Sequence, residues 1–229
     1  MVASRKKFPK DAGMQRPAGI LVSDFDGTIS RRDFFDLVRA RWPIPKNEDP
    51  WERYVSGEIT HFQALALIFG RIRCSEAELL ELVDQMEVDP DFASTVRALQ
   101  SRDWEVIVAS AGCAWYIEQL LARAGISISV YSNPGTFAPS TGLVMSRPPE
   151  SPFSDPGTGV NKLEIARDAL RRCDCVAFAG DGRPDIGPSL LVPAERRFAR
   201  GWLAEELTQR KEEFVGFDSW ITIRDTLLC

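Results

Sequence analysis

Hydrophobic and polar positions change rhythm twice along the chain. A continuous apolar run, Ile20-Leu21-Val22, stands between Gly19 and an Asp26-Gly27 turn, the pattern of a short strand buried on both faces of a parallel sheet. From about Arg32 to Met86 the spacing is helical: Phe34, Phe35, Val38 and Trp42 share one face, and a second run spans Ile59 to Ile72. A third helix is predicted to open at Ser75, where Glu78 completes a capping box ahead of Leu79, Leu80, Leu82 and Val83. Pro43, Pro45 and Pro50 divide this region into separate helices, because proline lacks the N–H that a helix interior requires.

After Asp89-Pro90, which suits an N-cap followed by proline in the first helical turn, the rhythm changes again. Helices to about Ser101, from about Ala114 to Gly125 and from Asn161 to Arg172 alternate with the strand-like runs WEVIVAS, ISISV and CVAFAGD. Such alternation predicts an α/β fold, a Rossmann-like parallel sheet with helices on both faces. The helical stretch is then an insertion after the first strand, giving a core of 18–31 and 87–229, a small helical unit over 32–86, and a flexible basic tail over 1–17. Residues 131–160 are rich in Pro, Gly and Ser; a hairpin around FAPSTGLVM, turning at Ser140 to Gly142, and then a mobile loop are expected there.

In an open parallel sheet, ligands bind beyond the carboxyl ends of the strands. Asp24 and Asp26 follow the first strand, Ser110 follows WEVIVA, Lys162 opens the helix before CVAFAG, and Asp181 and Asp185 come after it. Four carboxylates, a hydroxyl and an ammonium would therefore meet at one edge. Gathering carboxylates costs repulsion that a hard divalent cation offsets, and oxygen ligands without clustered histidine select Mg2+ over zinc. Asp24, Asp26, Asp181 and Asp185 are the expected metal set. Beside the metal, Asp24 can attack phosphorus to form an aspartyl phosphate, while Asp26 protonates the leaving alkoxide and then takes a proton from water. Gly27, Thr28, Ser110, Ala111 and Lys162 are expected around the phosphoryl oxygens, with Asp185 either binding a metal-bound water or orienting Lys162.

Composition narrows the partners. A net charge of -5 argues against nucleic acid or an anionic membrane surface, and no apolar run approaches the roughly 20 residues of a membrane span. Five cysteines in neither a zinc spacing nor a disulfide framework point to reduced thiols in the cytoplasm. His61, the only histidine, removes Ser-His-Asp and Cys-His catalysis. The expected partner is a small-molecule phosphate ester, handled by a monomer or homodimer.

The set DFDGT at 24–28, VIVAS ending in Ser110, Lys162 and GDGRPD at 180–185 resembles, in order and spacing, the four motifs of the haloacid dehalogenase superfamily. The resemblance implies a C1-type cap for the inserted helices, as in the phosphoserine phosphatase group, and an Mg2+-dependent phosphatase acting through aspartyl phosphate. Within that group DFDGTIS, YSN at 131–133, RFARGWLAEEL and FVGFDSWITIRDTL look most like methionine-salvage phosphatases acting on a methylthiopentenyl phosphate. This chain departs from them in carrying Ser110-Ala111-Gly112 where they tend to have Ser-Gly-Gly, and PFSDPGTGVNK where they have a Cys-rich segment. Arg32, Asp33, Phe34 and Asn133 are the residues expected to meet the organic part of a methylthiopentenyl-like or phosphoserine-like substrate. A phosphotransferase, or a silent relative that only binds a phosphorylated ligand, are the alternatives; the presence of Asp24, Asp26 and Asp181 favours the enzyme.

Overall fold

The computed structural model describes residues 16–229, so the expected tail lies, apart from Arg16 and Pro17, outside the described residues. The chain runs from β1 (Gly19–Ser23) through four helices, α1 (Phe34–Arg41), α2 (Pro50–Val55), α3 (His61–Phe69) and α4 (Glu76–Asp84). Then come α5 (Phe92–Gln100), β2 (Trp104–Cys113), α6 (Ala114–Arg123) and β3 (Ser129–Asn133). Two antiparallel hairpins follow, β4 (Gly135–Ala138) with β5 (Gly142–Met145) and β6 (Ser154–Asp155) with β7 (Gly159–Val160). The remainder is α7 (Lys162–Arg172), β8 (Val176–Gly180), α8 (Ile186–Ser189), β9 (Arg197–Ala199), α9 (Gly201–Arg210), β10 (Val215–Gly216) and α10 (Trp220–Leu228).

Six strands form one parallel sheet in the order β10-β9-β8-β1-β2-β3. The chain leaves β1 toward β2 and β3, then returns to build β8, β9 and β10 on the other side. The order therefore reverses at β1, which opens a crevice at its carboxyl end. Side chains alternate across the sheet as the strand period requires. Leu21, Val106, Val108 and Ala177 join Phe92, Val96, Leu99 and Trp220 of α5 and α10 in one apolar cluster. Ile20, Val22, Ile107 and Phe178 join Ile165 and Ala169 of α7 in another. Each of these aliphatic chains contributes on the order of 1.5–3 kcal/mol by leaving water, which is why β1, buried on both faces, can sit at the centre without a polar side.

The inserted helices α1–α4 share the first cluster through Phe34, Leu37, Leu65, Ile68, Leu79 and Val83. The box expected at Ser75 forms: Glu78 N–H donates to Ser75 Oγ at 3.2 Å and Ser75 N–H to Glu78 Oε2 at 2.8 Å. A second one, Thr60 with Gln63, opens α3. The two ends of the insertion are paired, since Arg31 and Arg32 N–H donate to Met86 O at 3.1 and 3.0 Å, and Asp89 N–H donates to Ile29 O at 2.9 Å.

Three sequence expectations shift. The strand read as ISISV forms later, at Ser129–Asn133, because Ile126 closes the end of α6, its N–H donating to Leu121 O at 3.0 Å. Asp89 caps a turn instead of α5: its Oδ1 accepts from Asp91 N–H at 2.9 Å, and the helix begins at Phe92. The hairpin around FAPSTGLVM forms, and the stretch after it carries the unforeseen β6 and β7. Among the described residues no helix is long and apolar enough to cross a membrane.

Candidate active site

Asp24 follows the last residue of β1, its N–H donating to Ala179 O of β8 at 2.9 Å. The chain then folds into a tight loop, with the N–H groups of Thr28, Ile29 and Ser30 converging on Phe25 O at 3.2, 2.8 and 3.0 Å. Phe25, fully buried, anchors this loop in the core between the two aspartates. Distant residues hold the outward carbonyls: Arg200 donates to Gly27 O and Ser30 O, and Trp220 Nε1–H to Thr28 O at 3.0 Å. Gly27 is required twice, by its φ of +71° and because a Cβ there would lie 2.1 Å from Asp181 Oδ2.

Lys162 is the first residue of α7, a place where a cation opposes the helix dipole, and its side chain is only 4% exposed. What holds it is a pair of carboxylates: Nζ lies 2.8 Å from Asp24 Oδ1 and 2.7 Å from Asp185 Oδ1. Burial pulls the ammonium down, but Asp185 and Asp24 outweigh it and keep its pKa above the ordinary value. Asp185 Oδ2 accepts from Asp181 N–H at 3.3 Å and Gly182 N–H at 3.0 Å, so this fully buried carboxylate braces both the lysine and the turn after β8. The Thr28 hydroxyl donates to Asp181 Oδ1 at 3.0 Å.

One oxygen from each of Asp24, Asp181 and Asp185 lies within 4.8 Å of the others. Burial, followed by the charge of Asp185, pushes Asp181 up to about 7. Asp24 is raised well above the ordinary carboxylate value by burial, with Asp185 and Asp181 adding to it against the pull of Lys162. A cluster of buried carboxylates with one ammonium among them carries uncompensated charge, and an all-oxygen set fits a hard divalent cation such as Mg2+.

Asp26 points elsewhere. Its Oδ2 accepts from the hydroxyls of Tyr116 at 2.9 Å and Ser110 at 3.3 Å, and its Oδ1 from Phe34 N–H at 3.3 Å. Burial, then the charge of Asp24, raises it to about 7. Ser110, Ala111 and Gly112 can bend toward it because the pairing of β2 with β3 shifts register between Ala109 and Cys113.

These groups surround a cavity of about 120 Å³ whose far wall is Phe35, Trp51, His61, Leu65 and Phe69 from the inserted helices. Of the residues expected near the organic group, only Asp33 lines it. Asp33 caps α1, its Oδ1 accepting from Phe35 N–H at 2.7 Å, and burial with the nearby Asp26 charge raises it to about 8. Arg32 is exposed and borders other clefts; Phe34 turns into the core against Phe69 and Tyr116. Asn133 stands behind the site, its amide donating to Ala111 O at 2.8 Å and Thr158 O at 3.0 Å, so it ties the bend of β2 to the segment leading into α7. Thr28 and Gly27 are likewise not on the cavity wall; they shape and anchor the aspartate loop.

The arrangement matches a known family over most of the chain: residues 21–187 fit the haloacid dehalogenase-like hydrolases. The chain belongs to that family. The 2-hydroxy-3-keto-5-methylthiopentenyl-1-phosphate phosphatase of Brevibacillus brevis is 23% identical to this hydrolase over 210 residues, covering 89% of this chain and 94% of the relative. The protein of the same name from Lysinibacillus sphaericus is 24% identical over 215 residues, covering 91% and 92%. A solved substrate-bound phosphoserine phosphatase superposes with a TM-score of 0.60 over 87% of this chain and 92% of its own, at 14% identity, which shows a shared fold.

Sequence reasoning missed several residues of this hydrolase's site. Tyr116 lies six positions beyond Ser110 on an otherwise apolar helix face, where it reads as core. Phe35 lies on the apolar face predicted for the first inserted helix, and neither Trp51 nor the lone His61 belongs to any motif. Arg200 acts across 170 and 173 residues of chain and leaves no local pattern.

Proposed function

We propose that this hydrolase cleaves the phosphate monoester of a small metabolite whose organic part is uncharged, through an aspartyl phosphate on Asp24. The observation that carries the reading is the convergence of Asp24, Lys162, Asp181 and Asp185 at the carboxyl edge of β1 and β8, opposite Asp26 and its hydroxyl donors. Asp24 attacks phosphorus as the bond from phosphorus to the ester oxygen breaks; the electron pair stays on that oxygen, which takes a proton from Asp26. Water then attacks the same phosphorus and gives its proton to Asp26, and the bond to Asp24 breaks to release phosphate. Lys162, fixed by two carboxylates, orients Asp24 and offers positive charge to a phosphoryl oxygen. Mg2+ held by Asp24, Asp181 and Asp185 would supply neutralisation of the phosphoryl charge.

Residues 32–86 act in this reading as a cap over a core of 18–31 and 87–229, excluding water while Asp24 is attacked. The paired backbone at Arg31, Arg32, Met86 and Asp89 is where such a cap would hinge. The cavity lining supports one substrate class over another. Among the described residues its one ammonium is engaged by Asp24 and Asp185, no arginine lines it, and its cap wall is aromatic and aliphatic apart from Asp33 and His61. Burial lowers His61 to about 4, which leaves it neutral at physiological pH. A substrate carboxylate would find no free cation among the described residues, so the site suits a group such as a methylthiopentenyl chain better than phosphoserine. Release of inorganic phosphate by the purified protein with Mg2+ from a panel of phosphorylated metabolites tests this; turnover of none of them, or only of carboxylate-bearing ones, overturns it.

A further inference from the structure

We propose that Tyr116 is a positioning residue for the acid–base step, holding Asp26 by one oxygen so that the other faces the ester. The inference rests on the hydrolytic reading above and adds a residue to it. Tyr116 is 1% exposed on a face of α6 that otherwise buries Ile117, Leu120 and Leu121, where a phenylalanine would fill the same space. A buried hydroxyl without a partner is costly, so its presence needs a reason; the reason is its 2.9 Å bond to Asp26 Oδ2. The chain makes room for that bond. A Cβ at Gly112 would lie 2.0 Å from the Tyr116 hydroxyl and 2.6 Å from Asp26 Oδ2, so only glycine lets the two meet. Phe34 fixes the ring from the opposite side, centroid to centroid at 4.4 Å.

Asp26 lies two residues from Asp24, close enough that a divalent cation in the aspartate cluster would attract it. Its oxygens are nonetheless absent from that cluster. Tyr116 and Ser110 both donate to Oδ2, whereas Oδ1 holds only the 3.3 Å bond from Phe34 N–H. Oδ1 is therefore the oxygen free to exchange a proton with substrate: it gives its proton to the ester oxygen as the bond to phosphorus breaks, and receives one from water when the bond to Asp24 is cleaved.

The test compares kcat/KM for nitrophenyl phosphate, whose leaving group departs without a proton, with that for ethyl phosphate, whose leaving group needs one. In Tyr116→Phe the ratio of the two should rise at least about tenfold, since a positioned general acid contributes on the order of 10²–10⁴. In an Asp26→Asn background the same change should leave the ratio within about twofold, because a residue acting only through Asp26 has nothing left to position. If Tyr116→Phe lowers both rates in equal proportion, or shifts the ratio equally in both backgrounds, the positioning role is wrong. Should that variant not fold, Gly112→Ala displaces the same pair and is read by the same ratio. A wild-type protein that hydrolyses neither ester overturns the hydrolytic reading itself, a result distinct from either outcome of the ratio.

Discussion

Lys162 Nζ lies 2.8 Å from Asp24 Oδ1, an ion pair with side chains only 4% and 10% exposed. A buried pair of this kind is weak evidence for stability, because desolvating both charges offsets most of their attraction. It does fix geometry. The lysine holds one oxygen of Asp24 and leaves the other for the attack proposed above, while Asp185 keeps the ammonium from swinging away.

Asp24→Asn should remove turnover while leaving the fold intact. The amide cannot attack phosphorus, yet it keeps an oxygen toward Lys162 and takes one charge out of a cluster that burial already disfavours. Activity should fall at least about 10³-fold with a melting temperature within about 4 °C of wild type. Retention of more than about a few per cent of the native rate would contradict covalent catalysis.

Lys162→Met should do the reverse to stability. It leaves Asp24 and Asp185 buried without their cation, a loss of about 3 kcal/mol at neutral pH in the metal-free protein. Mg2+ at about 100 times its dissociation constant stabilises a site by about 2.7 kcal/mol, and should therefore recover much of that deficit. Denaturant midpoints with chelator and with Mg2+ measure both effects; equal midpoints in the two conditions, for wild type and variant alike, would remove the metal from the aspartate cluster.

What the sequence revealed, and what it withheld, follows from range. Asp24, Asp26, Lys162, Asp181 and Asp185 each stand near the end of a strand or the start of a helix, and Ser110 where the register of β2 shifts, so locating those elements was enough to bring them together. The Ser75 box was legible because its two partners are three residues apart. β9 and β10, at three and two residues, are too short to show a period, so the part of the sheet beyond β8 was hidden. Tyr116 was hidden differently, since an apolar helix face gives no sign that one hydroxyl on it meets a carboxylate 90 positions earlier. Arg32 and Phe34 lie off the cavity wall because Phe34, opening α1, turns inward and Arg32, before the helix, faces solvent.

The metal-free protein should lose stability as pH rises from about 4 to about 7. Asp26 and Asp181 have folded pKa values raised from 3.8 to about 7, so across that window the folded protein holds protons that the unfolded chain has released. Folding then becomes less favourable with increasing pH, and the contribution is gone above the folded values. With saturating Mg2+ the aspartates of the cluster are held ionised and that part of the slope should flatten. Urea midpoints at several pH values, with chelator and with Mg2+, read it directly; a midpoint rising with pH in chelator would show that the buried carboxylates are not proton-linked to folding.

If the proposed reading holds, Asp33 should give the cap its own discrimination, and pH should expose it. Among the described residues it is the one carboxylate on the cap side of the cavity, and burial with the nearby charge of Asp26 raises its pKa to about 8. Below that value Asp33 is neutral and tolerates a carboxylate on the substrate; above it, Asp33 is anionic and repels one. Ethyl phosphate and phosphoglycolate differ in that single carboxylate, and the phosphate of both is mostly dianionic from about pH 7 to 9, its second pKa lying at about 6. The preference of the wild-type enzyme for ethyl phosphate, as a ratio of kcat/KM, should therefore grow about tenfold across that interval, the scale of one partly screened charge at contact distance. Asp33→Asn keeps a side-chain oxygen to cap α1, so its fold should hold, and its ratio should stay flat with pH. A ratio independent of pH in the wild-type enzyme would mean that Asp33 does not face the organic group and that the cap selects its substrate by shape alone.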